Sequence, residues 1–157
     1  MTLSSRGIIG GALGGLVGAT IMTAILIASK AAMGLPLLAD FMVMGTFVGG
    51  AVAAGFAAHY IVGLVDGIIF ATIVAVVKAL RPTSTGKALA LGALYGVIPF
   101  ILVFIPVLML GFAPIMMALM GAGAAAMLPT VIALGFVEHL LFGLIVGALV
   151  YLFSRGA

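Results

Sequence analysis

The 157-residue sequence contains no cysteine and very few charged residues. Without cysteine the chain has no disulfide framework, no thiolate metal site and no iron–sulfur cluster. Only 6% of the residues are charged, whereas a soluble domain needs about a quarter of its residues charged to cover its surface. Because 66% of the residues are hydrophobic, we infer that the solvent around this protein is lipid.

The sequence also lacks the motifs of common catalytic sites. It contains no Ser–His–acid spacing, no HExxH motif and no phosphate-cradling loop. The net charge of +3 comes from basic residues that are scattered singly, which does not indicate a nucleic-acid surface. We therefore expect a protein with no catalytic activity of its own and no nucleic-acid partner.

Four stretches are long and apolar enough to be membrane-spanning helices, since a span needs roughly 20 apolar residues. They cover residues 7–29, 55–77, 88–110 and 130–153. The first is too long for a signal-peptide core and is followed by no small-x-small cleavage site, so we expect it to be retained. The prediction is an all-α, four-helix integral membrane bundle with a single transmembrane domain over 1–157.

The basic residues predict the orientation, because Lys and Arg favour the cytoplasmic side of a membrane. All but one of them fall on one side if both termini are cytoplasmic: Arg6, Lys78, Arg81, Lys87 and Arg155. Only Lys30 falls on the other side. We expect a prokaryotic inner-membrane protein with a cytoplasmic N-terminus and a cytoplasmic C-terminus.

The two connections on the opposite side, residues 31–54 and 111–129, are long and nearly uncharged. Asp40 is the only charged residue in them. Bare loops of this length are normally polar. We expect these segments to lie in the membrane interface, to re-enter as short helices, or to be covered by another subunit.

The two halves of the chain align with each other at an offset of 76–80 residues. Gly14 and Gly18 match Gly92 and Gly96, and a second set of matches is His59, Gly63, Gly67 with His139, Gly143, Gly147. This ordered series predicts two tandem two-helix repeats, over about 7–80 and about 86–155. Because each repeat has two spans, both have the same orientation, and the pseudo-twofold axis stands along the membrane normal.

Glycine is concentrated in the first predicted span, where several glycines are spaced four residues apart. They include Gly7, Gly11, Gly14, Gly15 and Gly18. Small residues let helix backbones touch in lipid, where hydrophobic attraction between helices is weak. We expect these residues to pack closely against another helix, which the sequence does not identify.

Four ionisable residues lie inside predicted spans: His59, Asp66, Glu138 and His139. A charge at such a position costs about 2.5–3.5 kcal/mol on insertion scales, so these residues are candidates for function. Asp66 follows His59 by seven residues and shares its helix face. Glu138 is adjacent to His139 and points about 100° away from it.

Three interpretations of these residues stay open. In the first interpretation, His59 and His139 are axial ligands of one haem b, and Gly63 and Gly143 leave room for the macrocycle. Alternatively, the four groups form a proton or ion path. In the third interpretation the histidines are structural and donate hydrogen bonds worth around 0.6–2 kcal/mol across helix contacts.

Four stretches carry a resemblance to a known group: GLVGATIMTAILIASKAAMGLP, AAHYIVGLVDG, GALYGVIPFILVFIPVLML and VEHLLFGLIVGALVY. Together they resemble a family of small four-helix prokaryotic integral membrane proteins that carries a domain-of-unknown-function label. Its most specific pieces are ATIMT in the first span and the two His-x3-Gly segments. The resemblance implies a two-plus-two helix fold and implies no activity; the connections 31–54 and 111–129 are richer in alanine and glycine than the family pattern.

The functional hypothesis is an accessory or structural subunit of a larger membrane complex, such as a respiratory or other energy-transducing complex. The expected partners are membrane lipid, including bound lipid, and either other subunits or further copies of this chain. A haem b electron-transfer protein is the first alternative. A small proton or ion channel or carrier is the second.

Overall fold

The computed structural model describes residues 5–155, apart from the side chains at 119, 120, 122 and 124. The predicted domain therefore includes residues 1–4 and 156–157, which lie outside this description. Within the described part, every regular element is a helix. In chain order these are α1 (Ser5–Ala32), α2 (Ala39–Phe47), α3 (Val52–Val76), a 3-10 turn (Lys78–Leu80), α4 (Thr85–Pro99), a π-helical segment (Phe100–Phe104), α5 (Ile105–Val107), a second π-helical segment (Leu108–Phe112), α6 (Ala113–Met120) and α7 (Ala122–Ser154).

Four of the helical stretches are long and apolar enough to cross a membrane. They are Ser5–Ala32, Val52–Val76, Thr85–Ala118 and Ala125–Ser154. The predicted all-α architecture with four long apolar helices is confirmed, and it indicates a multi-pass membrane protein. We call Thr85–Ala118 the third span, since α4, α5, α6 and the two π-helical segments form one continuous rod.

The helix of the third span continues beyond the predicted boundary at residue 110, through α6, into the expected connection 111–129. The chain turns at Gly121, which has φ +65° and separates α6 from α7. Pro99 and Pro106 each remove a backbone hydrogen bond, and a π-helical segment follows each of them. Local π-helical adjustment satisfies the freed backbone groups, so neither proline ends the helix.

Helices α1 and α7 lie in the middle of the bundle and pack against each other. Helix α3 packs on α1, and α4 packs on α7. The short helix α2 packs on α3. We call the end where α1 begins and α7 ends the terminal end, and the end where α1 stops and α2 lies the distal end.

Contact between α1 and α3 is made by backbone against backbone. A Cβ atom placed on Gly11 would collide with the Gly67 carbonyl, and one placed on Gly15 would collide with the Gly63 carbonyl. Both contacts require glycine because no side-chain atom fits between the helices. The two axes therefore approach as closely as helices can, which is how small residues hold helices together in lipid.

A different face of α1 receives α7. A Cβ atom on Gly14 would lie 2.9 Å from the Val146 Cα atom, and one on Gly18 would lie 2.5 Å from the Phe142 ring. Gly7 lies near the end of this face, with Ser154 Oγ 3.1 Å from its hypothetical Cβ atom. The first span thus meets two helices at once through glycines on neighbouring faces.

Helices α4 and α7 repeat the backbone contact. Gly92 lies against the Gly143 carbonyl, and Gly96 lies against the His139 carbonyl. The sequence alignment pairs Gly14 and Gly18 with these two glycines, but Gly14 and Gly18 face α7 and not α3. The residues of α1 that meet α3 include Gly11, Gly15 and Ala19, because these lie on the face turned toward it.

An apolar core fills the bundle mainly in the half nearer the terminal end. Its buried members are Met22, Phe70, Ala71, Val74, Tyr95, Phe142, Val146 and Val150. The Phe70 and Tyr95 rings, with centroids 5.1 Å apart, connect α3 to α4 across this core. The distal half holds the buried charges instead.

The glycine contacts predict a large effect for a single methyl group. We expect Gly15→Ala to destabilise the bundle by about 1–3 kcal/mol, the usual cost of overpacking, because the new Cβ atom meets a backbone carbonyl that cannot rotate away. The measurement is thermal or SDS-induced unfolding of the purified protein in detergent, followed by circular dichroism. The control is Gly86→Ala, since no atom lies within 4 Å of its added Cβ. A Gly15→Ala protein as stable as Gly86→Ala would contradict the packing described here.

Candidate functional site

A buried ion pair lies at the distal end. Lys30, near the end of α1, places its Nζ atom 2.9 Å from Oδ2 of Asp40, near the start of α2. The two side chains are only 7% and 10% exposed. Such a pair is removed from water and must be held by its surroundings, because the loss of hydration is expensive for both ions.

The position of α2 on α3 buries this pair. Gly55 carries no side chain, so the main chain of α2 at Phe41 lies directly against α3. The Phe41 ring, which is fully buried, stacks on Phe56 with centroids 3.7 Å apart. Its edge also meets the ring of His59 at 5.6 Å. Asp40, the residue before Phe41, is thereby directed into the bundle.

Glu138 on α7 lies beside the same pair. It is only 2% exposed, and within residues 5–155 its Oε1 atom has no hydrogen-bond partner. It lines a pocket of about 80 Å³ together with Lys30 and Asp40. A smaller pocket of about 40 Å³ also includes Lys30 and Asp40 in its wall. We call the larger one the Glu138 pocket.

The charges around the Glu138 pocket do not balance when all three groups are ionised. One ammonium, that of Lys30, stands against the two carboxylates of Asp40 and Glu138. Burial raises the pKa of Asp40 above its ordinary value, and the Lys30 ammonium opposes this shift. A buried ionised group is stable only when it is paired, and otherwise it becomes neutral, so Glu138 is either protonated or balanced by one further positive charge.

The two histidines make different contacts. His59 donates from Nε2 to the carbonyl of Ala19 on α1, at 3.1 Å. His139 donates from Nδ1 to the carbonyl of Gly135, one turn earlier in its own helix, at 2.7 Å. Each imidazole therefore donates to a main-chain carbonyl, but only the His59 bond crosses a helix contact as the structural interpretation requires, since the His139 bond stays within α7.

These contacts do not fit a haem held between the two imidazoles. The ring nitrogen that usually binds iron, Nε2, is occupied in His59 by the Ala19 carbonyl. Gly63 and Gly143 lie against the backbones of α1 and α4, so the space that a macrocycle would need is filled. Within the described residues, no three His, Asp or Glu side chains are grouped as metal ligands.

The four predicted ionisable residues do not share one site. Glu138 lines the pocket with Lys30 and Asp40, whereas Asp66 is half-buried nearer the terminal end. There Tyr95 donates its hydroxyl hydrogen to the main-chain carbonyl of Asp66 at 3.0 Å. The predicted proton or ion path would have to cross from one location to the other through the bundle.

The sequence pattern did not single out Lys30 and Asp40 as site residues. A signal was present, because Lys30 and Asp40 are the only charged residues between the first and second predicted spans and have opposite signs. Two opposite charges separated by a short apolar stretch are more stable when they pair with each other than when they stay apart in the membrane interface. Their burial could not be predicted, since it depends on the packing of α2.

Comparison of the chain with known proteins found no relative. No protein-family model matches the chain, and no curated protein or solved structure is similar to it. The resemblance to the small four-helix membrane family therefore stays a prediction.

Because the ion pair is buried, we predict that single and double substitutions of its residues differ in their effect on the stability of the protein. We expect Lys30→Met to destabilise the protein by about 3–5 kcal/mol at pH 7, because it leaves the Asp40 carboxylate buried and unpaired. The double variant Lys30→Met/Asp40→Leu removes both charges and should recover most of this loss. The measurement is unfolding in detergent, with the two single variants and the double variant compared in one buffer.

The pH dependence gives the control for this prediction. Because burial raises the pKa of Asp40, the Lys30→Met protein should be most stable below the ordinary Asp pKa and should lose stability as pH rises toward the higher folded-state pKa. The double variant lacks this carboxyl group and should not show that loss. Equal stability of Lys30→Met and wild type across this range would contradict a structural role for the pair.

Proposed function

We propose that this protein is a small membrane carrier of protons or cations, and that Glu138 holds the transported charge. One observation supports this most directly. The Glu138 carboxyl is 2% exposed and has an oxygen without a hydrogen-bond partner in the described part of the chain, yet it lines a pocket beside an ion pair.

An ionisable group inside a membrane bundle is expensive, and such groups mark ion pathways and proton relays. A structural carboxylate would be expected to use both oxygens in hydrogen bonds or ion pairs. Glu138 instead has a buried oxygen, Oε1, without a hydrogen-bond partner in the described part of the chain, and the residue lines a pocket. A group that alternately holds and releases a positive charge needs this arrangement.

The apolar core favours a carrier over an open channel. Phe70, Phe142 and Val146 are each at most 4% exposed and lie between the pocket and the terminal end. Ions do not cross well-packed side chains without a change of helix packing. Transport would therefore require the helices to rearrange around the site, as in alternating access.

Orientation and symmetry belong to the same proposal. With both termini cytoplasmic in an inner membrane, as the basic residues predict, the Glu138 pocket lies toward the exterior. The tandem-repeat hypothesis is supported by the matching contacts of Gly11 and Gly15 with α3 and of Gly92 and Gly96 with α7. Two similar hairpins packed together would provide the two units that move in a carrier.

The carrier hypothesis predicts that flux depends on one carboxyl group. Protein reconstituted into liposomes with an internal pH dye should dissipate a proton gradient, and Glu138→Gln should reduce this rate by at least about tenfold, since the amide cannot exchange a proton. Asp66→Asn is the matched control. It makes the same chemical change outside the pocket and should keep most of the flux.

Two results would contradict this prediction. One is wild-type flux no greater than that of empty liposomes under every gradient tested. The other is equal flux in wild type and Glu138→Gln when circular dichroism shows that both are folded. Loss of flux in both carboxyl variants would instead favour the longer path through Asp66.

The accessory-subunit hypothesis is the second candidate, and the exposed face of the third span favours it. This span packs on one side only, and its outward residues include Leu102 at 69% and Leu110 at 83% exposure. Either lipid or a neighbouring subunit covers such an apolar face.

This second hypothesis predicts co-purification. Gentle detergent extraction from native membranes, followed by native mass spectrometry, should show this chain bound to other membrane proteins. Leu102→Lys together with Leu110→Lys should abolish that association, while the paired control Leu102→Ile/Leu110→Ile should keep it. A chain that always migrates alone, or only with copies of itself, would overturn the hypothesis.

A further inference from the structure

The wall of the Glu138 pocket has a composition that narrows the kind of cation it can hold. Lys30, Asp40 and Glu138 carry a net charge of −1 when all are ionised, so a single positive charge balances the site. The pocket volume is about 80 Å³, whereas a cavity of roughly 10–15 Å³ is enough to hold one water molecule. The pocket therefore accepts a species larger than a bare proton or a single water. This inference rests on the proposed carrier function.

The wall of the pocket offers too few ligands for an inorganic cation. Hard cations such as Mg²⁺ and Ca²⁺ take six or more oxygen ligands. The side chains of the pocket offer few oxygen ligands, namely the two carboxyl groups and the hydroxyl of Ser29. In the described part of the chain no group of three or more His, Asp or Glu residues could hold a metal ion.

Apolar and aromatic side chains form the rest of the wall. Phe104 and Phe112 contribute rings, and Met33 and Met44 contribute flexible thioethers. Aromatic rings attract cations, and the recognition of quaternary ammonium groups uses this attraction. Methionine adapts its shape to irregular apolar partners. An organic cation is satisfied by one carboxylate and such a surface, because its charge is spread over carbon-bound groups that need few oxygen ligands.

We propose that the Glu138 pocket binds a small organic ammonium ion, which exchanges with a proton on the Glu138 carboxyl group. When the ammonium enters, the carboxyl releases its proton, and the pocket keeps the same total charge. When the ammonium leaves, the carboxyl takes up a proton again. No bond other than the O–H bond forms or breaks, so the exchange couples one cation to one proton in opposite directions.

Choline is a suitable probe, and 3,3-dimethylbutan-1-ol is its neutral isostere. Isothermal titration of the purified wild-type protein in detergent should show binding of choline and at least about tenfold weaker binding of the alcohol, the difference that one charge contact supplies. Glu138→Gln should bind choline at least about tenfold more weakly than wild type. Titration in a weakly buffered solution should show proton release on choline binding.

Asp66→Asn is the control variant, because it makes the same change outside the pocket and should leave choline binding unchanged. Circular dichroism of each variant shows that it is folded. Phe112→Leu provides a second test of the same wall, since it keeps the apolar surface and removes the ring. It should weaken the binding of choline more than that of the alcohol.

Several results would overturn the inference. Equal affinity for choline and the alcohol would show that charge is not recognised. Unchanged choline binding in Glu138→Gln would place the cation elsewhere. Displacement of choline by equimolar Na⁺ or K⁺ would identify an inorganic-cation site instead.

The two proposals fail separately. A protein that carries protons in a Glu138-dependent way but binds no choline keeps the carrier function and loses the organic-cation inference. A protein that binds choline at Glu138 without transporting it or protons keeps the site and loses the carrier function.

Discussion

The close approach of α1 to its neighbours is the constraint on which the rest of the bundle depends. In lipid, apolar side chains gain little by leaving the solvent for each other, so helices associate where their backbones can come into van der Waals contact. Gly11 and Gly15 allow this toward α3, and Gly14 and Gly18 allow it toward α7. Because α1 is held from two sides, its distal end, including Lys30, has a defined position.

The charged site is a consequence of that position. Lys30 is buried because α1 is enclosed on two faces. Asp40 reaches it because α2 packs on α3 at Gly55. Glu138 reaches the same place from α7, which the glycine face of α1 holds close. A buried ion pair with a third carboxyl nearby is costly to remove from water. This cost is the physical reason to place function at the distal end and not among the histidines.

The third span shows how a membrane helix accommodates prolines. Pro99 and Pro106 would be expected to break an exposed helix in water, because each removes a hydrogen bond and crowds the preceding turn. In an apolar environment a broken helix would leave polar backbone groups unpaired, at greater cost than a local change of helix type. The π-helical segments at Phe100–Phe104 and Leu108–Phe112 are that change. The widened turns lie where Phe104, Leu108 and Phe112 border the Glu138 pocket.

Composition and hydropathy alone determined that this is an all-helical chain with four long apolar helices, because a long uncharged stretch has few stable alternatives to a spanning helix. They also singled out Glu138 as an ionisable group inside a span. Only the tertiary structure decided that Glu138 lines a pocket with Lys30 and Asp40, that His59 and His139 are occupied by main-chain carbonyls, and that Gly11 and Gly15 face α3. Hydropathy measures whether a residue tolerates lipid, but which residues meet across helices depends on the rotation and crossing of each helix, and these are set by contacts between residues far apart in the chain.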